Sequence, residues 1–385
     1  LDPQTPAANV LRRRARLGVA PRWQGSQLLV DAVLPGSMAA AAGVEPEDEL
    51  MALAQVPLCS RANLRAALRA AAQTAHATLE FRRRGLVQAR EVVVQEQPPE
   101  QLNGVPTQLE QLVQHDGTRM RLLVNRPPSE SKRGFVLLLQ GLSAESAELP
   151  VADSTMRRTL QALLQAGFTL LRLERRGLGD SEGDIERTDL QTELEDYCAL
   201  LRRIEQLSPT EPVHLWGHSL GGMLAPLLAN ERTGCLIVYG TSAIGWRESV
   251  REAGRLQHQL GGLQDAAAEA LISANLARYT DSAVIDDRPK AYYEQLEASD
   301  LGAAWSRCRA RVLAVTGEYD WVTPPARSRQ IAELVSAGGG VGVARILPCL
   351  DHLGAYHGSL EESLARYGFG LPSSLPGQET LRFLG

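Results

Sequence analysis

From residue 135 onward, short and nearly unbroken apolar runs alternate with longer stretches of helical period. FVLLLQG (135–141), TLLRLE (169–174), VHLWG (213–217), CLIVYG (235–240), RVLAVTG (311–317) and ARILP (344–348) are too short for helices and too continuous for strands with one wet face. Such runs suit strands buried on both sides, as in a parallel sheet covered by helices. The segments near 153–166, 188–207, 220–231 and 324–337 read as those helices, the first ended by Gly167 and the second opening near Asp189. Residues 109–127 read as a hairpin turning at Asp116-Gly117. Between CLIVYG and RVLAVTG lie roughly 70 helix-forming residues with no clear strand, too long for a structureless loop. A helical cap at about 243–303, inserted over the sheet, is expected.

The first part of the chain follows another pattern. RLGVA (16–20) and QLLVDAVLPGS (27–37) are short apolar runs separated by turn signals, and 39–43 is a helical turn ended by Gly43. Ser60 is placed to cap a helix whose apolar positions Leu64, Ala67, Leu68 and Ala71 share one face. ATLEFRRR (77–84) and LVQAREVVVQ (86–95) read as strands joined at Gly85. The stretch QEQPPEQLNGVPTQ that follows has no period. It divides a small α+β domain at 1–95 from a domain at 109–385, with a linker at 96–108.

Gly217-His218-Ser219-Leu220-Gly221 closes one of the apolar runs and opens an apolar helix. A serine nucleophile must expose its oxygen at a sharp strand-to-helix turn, and small neighbours let strand and helix approach. The hydroxyl also needs a base, and the base needs a carboxylate to orient it. Of seven histidines, His352 follows the last strand in LPCLDHLG, on the sheet edge that carries Ser219, with His357 as the fallback. His218 adjoins Ser219 on a tight turn and should point elsewhere. AVTGEYDWVTP (314–324) offers Asp320 ahead of Glu318, while Asp351 is adjacent to His352 and poorly placed to face it. The oxyanion donors are read as the backbone N–H groups of Leu220 and of Leu142, which follows Gln140-Gly141.

These motifs, in this order, resemble the α/β-hydrolase superfamily over about 110–370. Besides GHSLGG, LERRGLGDSEG (173–183) is similar to its D-x-R-G-x-G-x-S-x-G turn, and TGEYDWVTP and the Asp-His before Leu353 follow. Gln140 replaces the usual His of the oxyanion turn and Glu174 the usual Asp. The resemblance implies an α/β-hydrolase fold, helices on both faces of a mostly parallel sheet, and a Ser219–Asp320–His352 triad. The first part, through LGV (17–19) and VLPGSMAAAAGVEPEDEL (33–50), resembles a PDZ domain of the bacterial type, with Glu47 where that family usually has Gly. That likeness implies binding of a peptide C-terminus at the loop Leu17-Gly18-Val19 by strand addition, the alternative being a domain that shapes the active-site entrance. The three glycines of GLGDSEG do not have dinucleotide-loop spacing and read as turn structure.

Composition narrows the function. A net charge of −5 gives a nucleic-acid partner no support, and the arginine runs at 12–14 and 82–84 reflect a chain with only two lysines, Lys132 and Lys290. Five scattered cysteines, without CxxC spacing, suggest neither a metal site nor a disulfide framework and favour a reducing, cytoplasmic compartment. Because the chain begins at Leu1, export stays open. No apolar run is long enough to span a bilayer. The expected activity is a cofactor-free serine hydrolase cleaving a carboxylic ester of a small-molecule or acyl-carrying substrate through an acyl-enzyme. Thioesterase, peptidase or amidase, and acyltransferase chemistry use the same groups. The alternative of another class is a non-catalytic peptide-binding adaptor.

Overall fold

The computed structural model describes residues 10–128, 133–149 and 153–385; Lys132 and the first nine residues of the N-terminal part lie outside them. The chain divides into two compact units. One gathers Leu1–Pro99, Glu110–Arg121 and Glu174–Glu186; the other gathers Glu100–Leu109, Leu122–Leu173 and Arg187–Gly385.

In the first unit the elements are β1 (Val19–Gln24), β2 (Gln27–Val33), α1 (Met38–Ala41), β3 (Glu49–Leu53), β4 (Val56–Pro57), α2 (Arg61–Ala71), β5 (His76–Arg83) and β6 (Leu86–Val93). The strands form an antiparallel sheet in the order β1-β2-β3-β5-β6, with β4 beside β3. Period-two patterning places Ala77, Leu79 and Phe81 of β5 in the core and leaves His76 and Thr78 exposed. Ser60 accepts from the Asn63 N–H at 3.1 Å, and α2 buries Ala67 and Ala71. Glu47 holds a φ of 69°, so the turn expected to use Gly is kept with a side chain in place. The 174–183 turn also belongs to this unit, with Gly177, Gly179 and Gly183 all at positive φ. Its Asp180, sealed from solvent, accepts from the Arg13 guanidinium at 2.5 Å and from the Arg14 N–H at 3.0 Å.

The second unit opens with a hairpin, β7 (Gln101–Leu102) and β8 (Val105–Pro106), inside the stretch read as aperiodic. An eight-stranded sheet follows: β9 (Gln108–Val113), β10 (Arg119–Asn125), β11 (Phe135–Leu139), β12 (Thr169–Leu173), β13 (Val213–His218), β14 (Thr233–Tyr239), then, beyond the ribbon β15 (Val284–Ile285) and β16 (Arg288–Pro289), β17 (Arg311–Gly317) and β18 (Gly342–Leu347). The order is β9-β10-β12-β11-β13-β14-β17-β18. Strand β10 runs antiparallel to β12, and every pair from β12 to β18 is parallel. The strand centres are buried on both faces, as the unbroken apolar runs require. Helices α3 (Thr155–Gln165), α4 (Leu190–Leu207) and α5 (Leu220–Leu228) intervene. Helix α5 stops short of 231 because Ala229 turns extended.

Between β14 and β17 lie α6 (Trp246–Leu260), α7 (Asp265–Asp281), α8 (Lys290–Ala298) and α9 (Leu301–Arg307), with the small β15–β16 ribbon that the sequence pattern missed. Arg288 in that ribbon, sealed from solvent, pairs with Glu193 of α4 at 2.5 Å. Helix α10 (Ala326–Ala337) follows β17. Because β13, β14, β17 and β18 are parallel, the segments leaving their C-terminal ends emerge on one edge, where open α/β sheets hold their ligands. Ser219, Gly240, Asp320 and His352 all come from those segments.

Candidate active site

Ser219 sits between β13 and α5 with φ 53° and ψ −121°, a conformation costing a non-glycine residue of order 1–3 kcal/mol. The surroundings fix it. Its N–H donates to the Tyr239 carbonyl at 2.9 Å, and its carbonyl accepts from the Gly222 N–H at 2.9 Å. A Cβ on Gly217 would come within 2.7 Å of the Gly221 carbonyl oxygen, and one on Gly221 within 2.1 Å of the Leu139 carbonyl oxygen. The glycines therefore let strand, turn and helix close around the serine.

Asp320 lies in the turn after β17 and His352 in the loop after β18, 1 % and 3 % exposed. His352 Nδ1 is 2.9 Å from Asp320 Oδ2 and 3.1 Å from Oδ1, and Oδ1 also accepts from the Thr323 N–H at 2.7 Å. A carboxylate only accepts, so Nδ1 donates to Asp320 and Nε2 is the ring nitrogen left for another partner. Gly240, at φ 59°, makes room: a Cβ there would stand 2.9 Å from His352 Nδ1. Gly240 and Ser219 line the same cavity. Ser219 Oγ and His352 make no hydrogen bond in this structure; such contacts are often loose until substrate binds.

Three groups that sequence patterning did not assign hold the His352 loop. His218 donates from Nε2 to the His352 carbonyl at 2.9 Å. Burial, helped by His352 nearby, pushes the His218 pKa down to about 4, so the ring is neutral near pH 7 and supports the loop. The Tyr239 hydroxyl donates to the Asp351 carbonyl at 2.7 Å, and burial raises its pKa well above the ordinary value. Asp351, fully buried, accepts from the Leu353 and Ala355 N–H groups and from His357 Nε2. His357, the fallback base, is thus engaged with Asp351. Only its spacing within DHLGAYH hinted at this, and no periodicity marks such a pair.

Leu220 opens α5, so its N–H lies at a helix start. Leu142 follows Gly141, on which a Cβ would lie 3.5 Å from Ser219 Cβ. Leu17, Gly18 and Val19 belong to the other unit, where they line a groove of about 590 Å³ together with Leu64 and Leu68 of α2. Gly18 holds φ 79°, and a Cβ on it would collide with the Ser37 side chain at 2.1 Å.

The cavity at Ser219 has a volume of about 230 Å³, with Met223, Trp246, Val250 and Tyr279 among its walls. Among the described residues no group of three or more His, Cys, Asp or Glu side chains could hold a metal ion, and no helix is long and apolar enough to cross a membrane.

Residues 136–363 match the model of a family described as the alpha/beta hydrolase family. No curated protein matches the chain. Solved structures similar to it include Est1E from Butyrivibrio proteoclasticus with ferulic acid bound, at 18 % identity and a TM-score of 0.49, covering 71 % of this chain and 98 % of that one. An esterase from Pyrococcus furiosus is 14 % identical with a TM-score of 0.45, covering 63 % and 82 %. A hydrolase from Pseudomonas aeruginosa PA01 is 21 % identical with a TM-score of 0.45, covering 72 % and 98 %.

Proposed function

The chain belongs to the alpha/beta hydrolase family, and on that premise we propose that it is a serine hydrolase cleaving a carboxylic ester through an acyl-enzyme. Ser219 Oγ attacks the ester carbonyl while His352 Nε2 takes its proton. Asp320 holds the Nδ1–H and stabilises the imidazolium that forms. The N–H groups of Leu142 and Leu220 receive the developing oxyanion. His352 then protonates the departing alcohol, and water, activated by the same nitrogen, releases the acid. The observation that carries the reading is the buried 2.9 Å Asp320–His352 contact beside a serine held at positive φ. Thioesterase, amidase or acyltransferase chemistry would use the same groups on another acyl donor or acceptor.

In the same reading the helices between β14 and β17 form a cap, and residues 1–95 form a PDZ-like domain followed by a linker at 96–108. That domain recruits a peptide C-terminus at Leu17-Gly18-Val19. The groove beside α2, and the position of β1 at the edge of its sheet, support strand addition there. Leu68→Glu, on the groove wall, should abolish binding of C-terminal peptides.

The catalytic proposal is tested by labelling the full chain with a fluorophosphonate and by assaying p-nitrophenyl esters. Labelling should occur, vanish in Ser219→Ala, and be matched by a loss of turnover of about 10⁴-fold or more. A folded chain that neither labels nor turns over esters would instead be the peptide-binding adaptor.

A further inference from the structure

Two cavities share a wall. The inner one, of about 230 Å³, holds Ser219 and has Met223, Val250, Ala253 and Val322 among its walls. The outer one, of about 460 Å³, is bordered by Arg247, Lys290, Glu294 and Glu297. Trp246 and Tyr279 line both. Trp246 opens α6 and Tyr279 lies near the end of α7. Their rings meet edge to face at 6.1 Å, Trp246 lies 5.4 Å from Tyr293 of α8, and Tyr293 meets Tyr279 edge to face at 4.9 Å. Aromatic rings in such edge-to-face contacts stabilise one another, so the three rings pack as one panel.

The two sides of the panel differ in chemistry. Among the described residues, no Asp, Glu, Lys or Arg lines the inner cavity. A charged group brought into it would meet no counter-ion, only uncharged polar side chains such as those of Ser249, Gln257 and Asn275, which is costly. The outer cavity carries both signs: Lys290 Nζ is 3.3 Å from Glu294, and Glu297 accepts from the Arg247 N–H at 2.9 Å. The inner volume is also below the range of about 300–1,000 Å³ usual for drug-sized ligands.

We propose that Trp246 is a specificity-determining residue: it ends the inner cavity, so that the substrate arm seated beside Ser219 is short and uncharged, and longer arms are excluded from the outer cavity. This inference rests on the reading of Ser219 as the nucleophile. Two ladders test it in the full chain. One varies the acyl arm, from p-nitrophenyl acetate to dodecanoate; the other varies the alcohol arm, from methyl to decyl acetate. Wild-type kcat/KM should fall beyond a short length in one ladder, which identifies the arm. In that ladder Trp246→Ala should raise the ratio of long to short substrate by about tenfold or more, the scale on which pockets discriminate chain length. Trp246→Phe should raise it less, and Ala253→Leu, which narrows the inner cavity, should lower it. An arm ending in a carboxylate should be turned over at least about tenfold more slowly than an uncharged arm of equal length.

Fluorophosphonate labelling separates the possible failures. If wild type and Trp246→Ala both label and both ladders keep their shape, the role of Trp246 is overturned while the nucleophile stands. If the folded wild type does not label, the reading of Ser219 fails and takes this inference with it. If Trp246→Ala does not fold, the opposite shifts expected of Trp246→Phe and Ala253→Leu decide, and their absence overturns the proposal.

Discussion

Two histidine–carboxylate pairs share the loop after β18. His352 meets Asp320 at 2.9 Å and His357 meets Asp351 at 3.0 Å, and all four residues are buried. Distance and burial do not tell them apart; connectivity does. Asp351 spends one oxygen on the Leu353 and Ala355 N–H groups of its own loop and the other on His357 Nε2, so that pair folds the segment upon itself. Asp320 comes from another strand end and engages Nδ1 of His352, leaving Nε2 unbound, while Gly240 links the pair to the cavity wall beside Ser219. A base must stand close to its nucleophile: the first pair packs against Gly240, which lines the cavity with Ser219, whereas the second closes its own loop, so the proposed chemistry falls to the first and the architecture to the second.

The sharpest way to break this contrast is to alter the two pairs separately. His352→Gln, which keeps an amide donor for Asp320, should cost about 10⁴-fold or more in ester turnover, and Asp320→Asn about 10²- to 10⁴-fold, with melting temperatures near wild type. His357→Phe should retain turnover per labelled, folded molecule within about tenfold, because the proposed reaction passes no proton through it. The reverse outcome, a folded His357→Phe without activity beside an active His352→Gln, would exchange the roles.

The contrast also shows what a sequence discloses. The sheet was legible because strands buried on both faces must be apolar throughout, and residues 135–139 and 213–217 could hardly be anything else. The serine turn was legible because close backbone approach leaves only glycine at 217 and 221. Asp320 and His352 could be named because parallel strands deliver their ends to one edge. The supports of the His352 loop were hidden. The Tyr239 contact with Asp351 spans 112 residues and the His218 contact with His352 spans 134, and neither has a local pattern. The β15–β16 ribbon escaped because two-residue strands carry no period. The ring contacts among Trp246, Tyr279 and Tyr293 need three helices in place before they exist.

An intermediate effect is expected in stability. Asp351→Ala strands the Ala355 N–H and the His357 ring in the interior and removes the partner of the Leu353 N–H nearer the surface. Each unsatisfied buried donor costs about 1–3 kcal/mol, so unfolding should be easier by about 3 kcal/mol or more. Thermal and denaturant unfolding would check this. At temperatures where the variant is folded, Ser219 labelling should persist at a reduced rate, since the loop that carries His352 loses its brace. If the variant melts like wild type, the second pair is not architectural, and the comparison loses its second half.

The smallest effect concerns histidines that have no carboxylate. His214 lies in β13 against the edge of Phe168, its Nδ1 makes no hydrogen bond, and burial, with Arg133 and Arg311 nearby, pushes its pKa down to about 4. His218 is held down to about 4 as well. Both sit below the value near 6.5 of an unfolded chain, so between about pH 6.5 and 4 the unfolded state binds more protons. Stability from these groups is therefore complete above that window and is lost as pH falls through it, by at most about 1.4 kcal/mol per pH unit for each ring. His214→Phe preserves the packing on Phe168 and removes one of the two titrations. Its unfolding free energy should fall with acid at a visibly shallower slope than wild type, while ester turnover at pH 7 changes little. An unchanged slope would mean that His214 is protonated as readily in the folded protein as in the unfolded chain. Burial without a carboxylate would then not suffice to keep a histidine of this sheet neutral.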